Sequence, residues 1–276
     1  MLLTGATSAL AAVGDSARTD AALLLAQTLR RSREWLVAHD DAPVSEEDAT
    51  AFERLCASRR DGMPIAYILG TAEFYGRSFV VNEDVLVPRP ETEHLIDEAL
   101  AFIDLPMRVL DLGTGSGAIA CTLAAERPVD VVGTDLSPAA LAVAAENARR
   151  LGIAERCRFV QGNLAEPVRG TRFGAVVANL PYVPTSDLPR APAPASFEPR
   201  AALDGGADGL ALYRELMPQL PALLEDGANV WLEAAPPTIE VLVAIARGTF
   251  ATSTIEARND YGGRPRFVSI RPSRPA

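Results

Sequence analysis

Asn179-Leu180-Pro181-Tyr182 closes a run of apolar residues, and its members suit one task, which is holding a planar NH2 group. Such a nitrogen is a poor nucleophile because its lone pair is delocalised into a carbonyl or a ring. The Asn179 side-chain oxygen and the Leu180 carbonyl can each accept one N–H, which aims the lone pair at an electrophile. Pro181 fixes the backbone that points the carbonyl inward, and Tyr182 offers a ring face for stacking. Alone, the same four residues also make an ordinary strand-to-loop turn.

A second constellation lies upstream. Asp111-Leu112-Gly113-Thr114-Gly115-Ser116-Gly117 follows an apolar run and opens a helical one. Its glycines permit a tight turn and let a ligand approach the backbone closely. Asp135, eighteen positions after Gly117, ends the next strand-like run and can accept both ribose hydroxyls of a nucleotide-like cofactor. Gly113, Gly115 and Ala118 also satisfy the dinucleotide pattern, so a nicotinamide remains open on these residues alone. The tetrad decides against it, since nothing near Asn179 resembles a hydride-transfer acid. Gly113, Thr114, Gly115, Ser116, Gly117, Asp135 and Asn179 are the candidate contacts of a nucleotide-like cofactor. Asn163 could hydrogen-bond an adenine or simply cap its loop. Asn179, Leu180, Pro181 and Tyr182 are the candidate catalytic residues. Arg89, Glu91, Glu93 and Glu198 are candidates for the mouth of the site, His94 reads as a helix-surface residue and Cys121 as core.

These residues need a scaffold that brings three strand ends to one edge. Strand-like runs fall at 108–111, 129–134, 158–161, 174–178, 229–233 and 267–271, with helical runs at 118–126, 138–151 and 213–224. Strands alternating with helices predict a mostly parallel sheet covered on both faces, a Rossmann-like α/β fold. Ahead of it, residues 1–64 read as a small helical substrate-recognition domain, with helical spacing from Ala21 to Leu36 and a start signal at Ser45-Glu46-Glu47-Asp48. Residues 65–92 read as a β-hairpin linker, its strands at 65–69 and 79–87, and 93–276 as the catalytic domain. The proline-rich stretch 184–199 is long enough to predict a substrate-facing lip.

Composition limits the alternatives. The 276 residues are 48% hydrophobic and 22% charged, an ordinary globular balance. Net charge is −10 and every basic residue is Arg, which argues against wholesale nucleic-acid binding and favours a protein partner. Three scattered cysteines, no Cys-x-x-Cys, and isolated His39 and His94 predict neither a disulfide framework nor a metal site. With no basic n-region and no apolar run near 20 residues, the expected compartment is the cytoplasm, with no membrane association.

The chain resembles the protein-(glutamine-N5) methyltransferases of peptide chain release factors. The resemblance spans Pro64–Gly70, Glu73-Phe74, Val85–Glu93, Asp111–Gly117, Asn179–Tyr182, Phe197–Arg200, Gly205–Leu210 and Asp260–Arg264. Pro-Arg-Pro-Glu-Thr-Glu at 88–93 combined with Asn-x-Pro-Tyr is its most specific part. It implies a helical N-terminal domain, a hairpin and a class I methyltransferase domain with a seven-stranded mixed sheet. It implies that residues 113–117, Asp135 and the pair Asn163-Leu164 hold S-adenosylmethionine. It further implies that Asn179–Tyr182 hold the glutamine of a Gly-Gly-Gln loop in class I release factors; apart from the resemblance, a monomer without direct nucleic-acid binding is expected. The family usually has Pro where Leu180 stands, so the tetrad loop is expected to be looser. Asp often stands in place of Asn163, and a glycine is expected where Ala234-Ala235 follow Glu233. Adenine-N6 methylation of RNA or DNA, glutamine methylation of a ribosomal protein, and a catalytically idle binding module are the alternatives.

Overall fold

The computed structural model describes residues 2–103 and 106–271, which form two compact units. The first unit comprises residues up to Thr71 together with Pro189–Phe197. It contains α1 (Leu2–Leu10), α2 (Ala17–Leu29), α3 (Arg33–Ala38), α4 (Glu46–Arg60) and α5 (Ile65–Leu69). Ser32 and Ser45 cap α3 and α4 by accepting the Trp35 and Asp48 N–H groups, and three acids fill the first turn of α4, where the helix dipole favours them. Leu10, Leu24, Phe52 and Cys56 form the core. An Asp20–Arg59 pair at 2.7 Å lies buried within it.

Three expectations change here. Arg30 adopts a left-handed φ of 51°, so the helical stretch from Ala21 to Leu36 is two helices. Ile65–Leu69, which read as a strand, is a helix, because Pro64 starts it and Gly70 at φ 71° ends it. The proline-rich stretch, read as one loop, holds two 3-10 turns, and its middle belongs to the helical unit. Gly62 lets it approach, since a Cβ there would lie 2.1 Å from the Pro192 carbonyl oxygen.

The second unit begins at Ala72, inside a hairpin of β1 (Thr71–Phe74) and β2 (Arg77–Val80). Tyr75 and Gly76 both have positive φ, which matches the twist of a two-residue hairpin turn and fixes the second strand earlier than the 79–87 reading. Then come α6 (Glu91–Leu100), β3 (Arg108–Leu112), α7 (Ala118–Glu126), β4 (Asp130–Asp135), α8 (Pro138–Arg150), β5 (Cys157–Gln161) and β6 (Phe173–Ala178). They are followed by α9 (Ala211–Leu216), α10 (Leu220–Leu223), β7 (Leu224–Glu233), α11 (Ile239–Thr249), β8 (Thr254–Asn259) and β9 (Pro265–Arg271). The single helix read over 213–224 is broken, since Pro218 and Pro221 remove backbone donors and leave a 3-10 turn between α9 and α10.

The seven-stranded sheet runs β5-β4-β3-β6-β7-β9-β8, parallel through β7 and antiparallel at β9 and β8. Alternation along each strand feeds two cores. Leu110, Val176, Val230 and Leu232 face one with Tyr213 and Leu242, while Val109, Val131, Val177 and Trp231 face the other with Ile96 and Ile119. Burying each such side chain contributes about 1.5–3 kcal/mol. This is the class I methyltransferase fold, and the parallel order places the ends of β3, β4, β5 and β6 along one edge.

Candidate functional site

Asp111 is the anchor of the glycine loop. Fully buried, its Oδ2 accepts the Thr114 hydroxyl at 2.6 Å and the Ala120 N–H at 3.2 Å, joining the end of β3 to the first turn of α7. Burial pushes its carboxyl up to about 7, against the opposing effect of those two donors, and Oδ1 has no partner. Gly113 and Thr114 both donate to the Thr134 carbonyl at 2.9 Å, which holds the loop against β4. Ser116 is buried, its carbonyl accepting from the Asn147 amide. Gly113, Gly115 and Gly117 all have positive φ. At Gly117 a Cβ would meet Ala144 at 3.0 Å, so this glycine serves the packing of α7 on α8. A Cβ at Gly115 would meet nothing within 4 Å, which leaves its backbone open to a ligand.

Asp135 stands at the end of β4. Its Oδ2 accepts the Gly115 N–H and its Oδ1 the Ser137 N–H, both at 2.9 Å. A carboxylate offers about four acceptor positions, so one on each oxygen remains for a pair of hydroxyls. Asn163 donates to Glu215 at 2.6 Å, which commits its NH2 group and leaves its oxygen as acceptor. Leu164 follows at φ 48°, an uncommon conformation for a branched side chain, with its carbonyl bound by the Thr134 hydroxyl at 2.9 Å. Asp135, Leu136, Asn163, Leu164, Asn179 and Leu180 all line one cavity of about 400 Å3, within the range of small-molecule sites. A recess of about 50 Å3 adjoins it, sharing Gly113, Gly115 and Asn179 and adding Phe74, Arg89 and Thr92. The open Gly115 backbone, the remaining Asp135 acceptors and this cavity suit a nucleoside carrying a polar tail.

The tetrad follows β6 directly. Asn179 donates its amide to the Thr92 hydroxyl on α6 at 3.1 Å, so its oxygen is left as acceptor. Among the described residues, no donor reaches the Leu180 carbonyl. Leu180 is 3% exposed, and its side chain would lie 2.9 Å from a Cβ at Gly113. Its N–H donates to the Tyr213 hydroxyl at 3.2 Å, a bond proline could not make. The expected looser loop is therefore corrected, because leucine gives the loop an anchor. Tyr182 leans on the core and donates to Glu233 at 3.4 Å, and it is not among the residues lining the larger cavity. Pro181 and Tyr182 are backed by glycines. A Cβ on Gly205 would lie 2.7 Å from the Pro181 carbonyl, and one on Gly209 2.3 Å from that of Tyr182.

The other candidates have structural partners, except the exposed Glu91. Arg89 pairs with the nearly buried Glu198 at 2.6 Å, and Glu93 accepts the Tyr75 N–H at 2.8 Å. His94 stacks on Tyr261 with ring centroids 4.3 Å apart. Cys121 is buried in the core. Sequence reading missed Thr92, Tyr213, Glu233, Gly205 and Gly209. Each is far in sequence from the tetrad, and only the motifs around Thr92 and the two glycines gave a signal. Among the described residues there is no cluster able to hold a metal and no helix long and apolar enough to cross a membrane.

Comparisons with known proteins bear on the family and the fold. The PrmC N-terminal domain matches residues 1–70, and a methyltransferase domain matches 109–195. Among solved structures, a methyltransferase from Pyrococcus furiosus is similar with a TM-score of 0.54 at 17% identity, covering 72% of this chain and 90% of that one. A Thermus thermophilus 16S rRNA methyltransferase in complex with AdoMet and guanosine is similar at 0.53 and 15% identity, covering 74% and 50%. Both likenesses concern the fold. The release factor glutamine methyltransferase of Moorella thermoacetica is 40% identical over 258 residues, 92% of this chain and 91% of that protein. That of Cereibacter sphaeroides is 40% identical over 280 residues, 98% and 96%. With that identity sustained across nearly the whole chain, the protein belongs to the release factor glutamine methyltransferase family.

Proposed function

We propose that the protein methylates the side-chain amide nitrogen of a glutamine in peptide chain release factors, within the Gly-Gly-Gln loop, using S-adenosylmethionine. The observation that carries this reading is the tetrad's two unoccupied acceptors beside a nucleoside-sized cavity. Asn179 has its NH2 group bound to Thr92 and its oxygen left over, and the Leu180 carbonyl is equally unengaged. Together they can accept both N–H groups of a primary amide. When bound, S-adenosylmethionine supplies an electrophilic methyl group.

The chain's own residues do the rest. Asp135 would hold the ribose hydroxyls, Asn163 and Leu164 the adenine, and residues 113–117 the tail. Asn179 and Leu180 hold the glutamine nitrogen with its lone pair turned toward the methyl. Their hydrogen bonds strengthen as that nitrogen becomes tetrahedral and positive, which is where transition-state stabilisation arises. Tyr182 keeps the tetrad in place by its bond to Glu233. No general base is needed for the transfer itself, because the product amide releases its proton to water.

The acidic net charge favours a protein substrate over RNA or DNA. We place the enzyme in the cytoplasm, acting as a monomer without direct nucleic-acid binding. Incubating a release factor with the protein and S-adenosylmethionine, then mass-analysing the Gly-Gly-Gln peptide, tests the proposal. One added methyl on that glutamine, absent with Asn179→Ala, supports it. An unmodified glutamine together with a methylated ribosomal protein or RNA overturns it.

A further inference from the structure

Glu233, the last residue of β7, is fully buried, and the reaction scheme uses it only as the acceptor of the Tyr182 hydroxyl. Three separate routes nevertheless run from it to the tetrad. Its backbone carbonyl accepts the Tyr213 hydroxyl, which in turn accepts the Leu180 N–H at 3.2 Å. Its Oε1 accepts the Tyr182 hydroxyl at 3.4 Å. The Thr92 hydroxyl, which accepts the Asn179 amide at 3.1 Å, faces the Glu233 carboxyl and favours its charged form, although Oε2 has no partner at full hydrogen-bond geometry.

We propose that Glu233, as a carboxylate, is the positioning residue that fixes the orientation of the Asn179 amide and with it the catalytic geometry of residues 179–182. This rests on the reading of those residues as the glutamine-holding tetrad. The argument is one of donor and acceptor direction. A carboxylate only accepts, so it draws the hydroxyl protons of both Tyr182 and Thr92 toward itself. Thr92 then meets Asn179 with a lone pair, so Asn179 must present its NH2 group to Thr92 and its oxygen to the substrate. A proton on Glu233, or an amide in its place, turns one hydroxyl around. Thr92 then offers its proton to Asn179, and the amide is favoured in the flipped orientation, with NH2 facing a substrate that also carries NH2.

The groups facing Glu233 come from several elements. Arg266 on β9 favours the charged form and is itself paired with Asp260 at 3.4 Å, while Glu91 on α6 opposes it. Tyr182 and Tyr213 present hydroxyls. Burial outweighs the favourable contacts and pushes the carboxyl up to about 7, so its charge changes across the neutral range. This also gives Asp260–Arg264, a shared motif without a direct role at the site, a link to it through Arg266.

The test is kcat on a full-length release factor at saturating S-adenosylmethionine, measured from about pH 5 to 9, alongside cofactor affinity by calorimetry. The wild-type kcat is expected to rise with pH through about 7, and Glu233→Gln to lower kcat by about 10–100-fold and flatten that limb. KM for the release factor and cofactor affinity should be little changed. Asp111 titrates in the same range but sits under the glycine loop, so its effect belongs to cofactor affinity. Thr92→Val should reproduce the fall in kcat and Thr92→Ser restore it, which carries the test if Glu233→Gln fails to fold. The double variant should be no worse than the worse single one. A wild-type pH limb retained in Glu233→Gln, or Thr92→Val as active as Thr92→Ser, overturns the proposal. A wild-type enzyme that methylates no glutamine overturns the reading beneath it instead.

Discussion

The backbone N–H of Leu180 donates to the hydroxyl of Tyr213 at 3.2 Å, and that hydroxyl donates onward to the Glu233 carbonyl. A buried tyrosine thus supports the residue whose carbonyl is proposed to hold the substrate nitrogen. Tyr213 is fully buried, and burial holds its hydroxyl protonated well above the usual tyrosine range, so it can serve as donor throughout the working pH range. Tyr213→Phe strands the Leu180 N–H, at a cost of about 1–3 kcal/mol for an unpaired buried donor. Urea unfolding should show that loss, and kcat should fall while S-adenosylmethionine affinity holds. Unchanged stability would mean that water or a shifted backbone satisfies Leu180 instead.

Gly209 backs the tetrad from the other side. Its φ is 79°, and a Cβ would stand 2.3 Å from the Tyr182 carbonyl oxygen. Gly209→Ala therefore combines backbone strain with displacement of Tyr182, a cost of about 1–3 kcal/mol from the strain alone. Activity should drop more than cofactor binding, because the glycine lies behind the substrate-holding residues. Gly170→Ala is the control: φ is similar at 82°, but nothing lies within 4 Å of its Cβ, so it should cost stability without a specific loss of kcat. Equal kcat in the two variants would refute the displacement argument.

The sheet was legible in the sequence because buried parallel strands read as continuous β-branched runs, and the ends of β3, β4 and β6 carried the motifs. The α5 segment was misread for the same reason. Ile65-Ala66-Tyr67-Ile68-Leu69 has strand-like composition, and the short helix is decided by Pro64 and Gly70 and by packing of Ile65, Ile68 and Leu69 in the helical core. β8 and α11 were not read at all, although α11 is amphipathic and buries Leu242 and Ala246. Within the site, the candidate ligand-binding residues lie in recognisable turns, whereas those that hold them, such as Thr92 and Glu233, are 87 and 54 positions from Asn179. Their pairing exists only once the sheet is assembled.

Asn179→Ala and Asp135→Ala should separate chemistry from cofactor capture. In the proposed mechanism Asn179 contributes one of the two acceptors for the amide, so its loss should lower kcat by at least about 100-fold, while calorimetry shows S-adenosylmethionine affinity nearly intact. Asp135→Ala removes the ribose acceptors and frees the Gly115 and Ser137 N–H groups that its carboxylate organises. It should weaken cofactor binding first. Equal losses of affinity and kcat in both variants would contradict the separate roles.

Asp111 and Glu233 give the stability of the unliganded protein a distinctive pH dependence. Both are fully buried with carboxyls pushed up to about 7 by desolvation, so the folded state binds their protons more tightly than the unfolded chain does. Between about pH 4 and 7 the folded form carries more protons, and the slope of unfolding free energy with pH is negative. The stabilisation is fully present below the unfolded pKa values and is lost as pH rises through about 7. Exposed acids held low by arginines or hydrogen bonds, such as Glu146 and Asp208, act in the opposite sense, but only as pH falls below about 4. The melting temperature should therefore fall from mildly acidic to mildly alkaline pH, and Asp111→Asn should flatten part of that fall. Asn keeps an acceptor for Thr114 and Ala120 but removes the titrating charge. A wild-type melting temperature that rises steadily from pH 5 to 8 would show that these two carboxyls are ionised in the fold at a much lower pH. It would remove the neutral-range switch on which the pH behaviour of Glu233 depends.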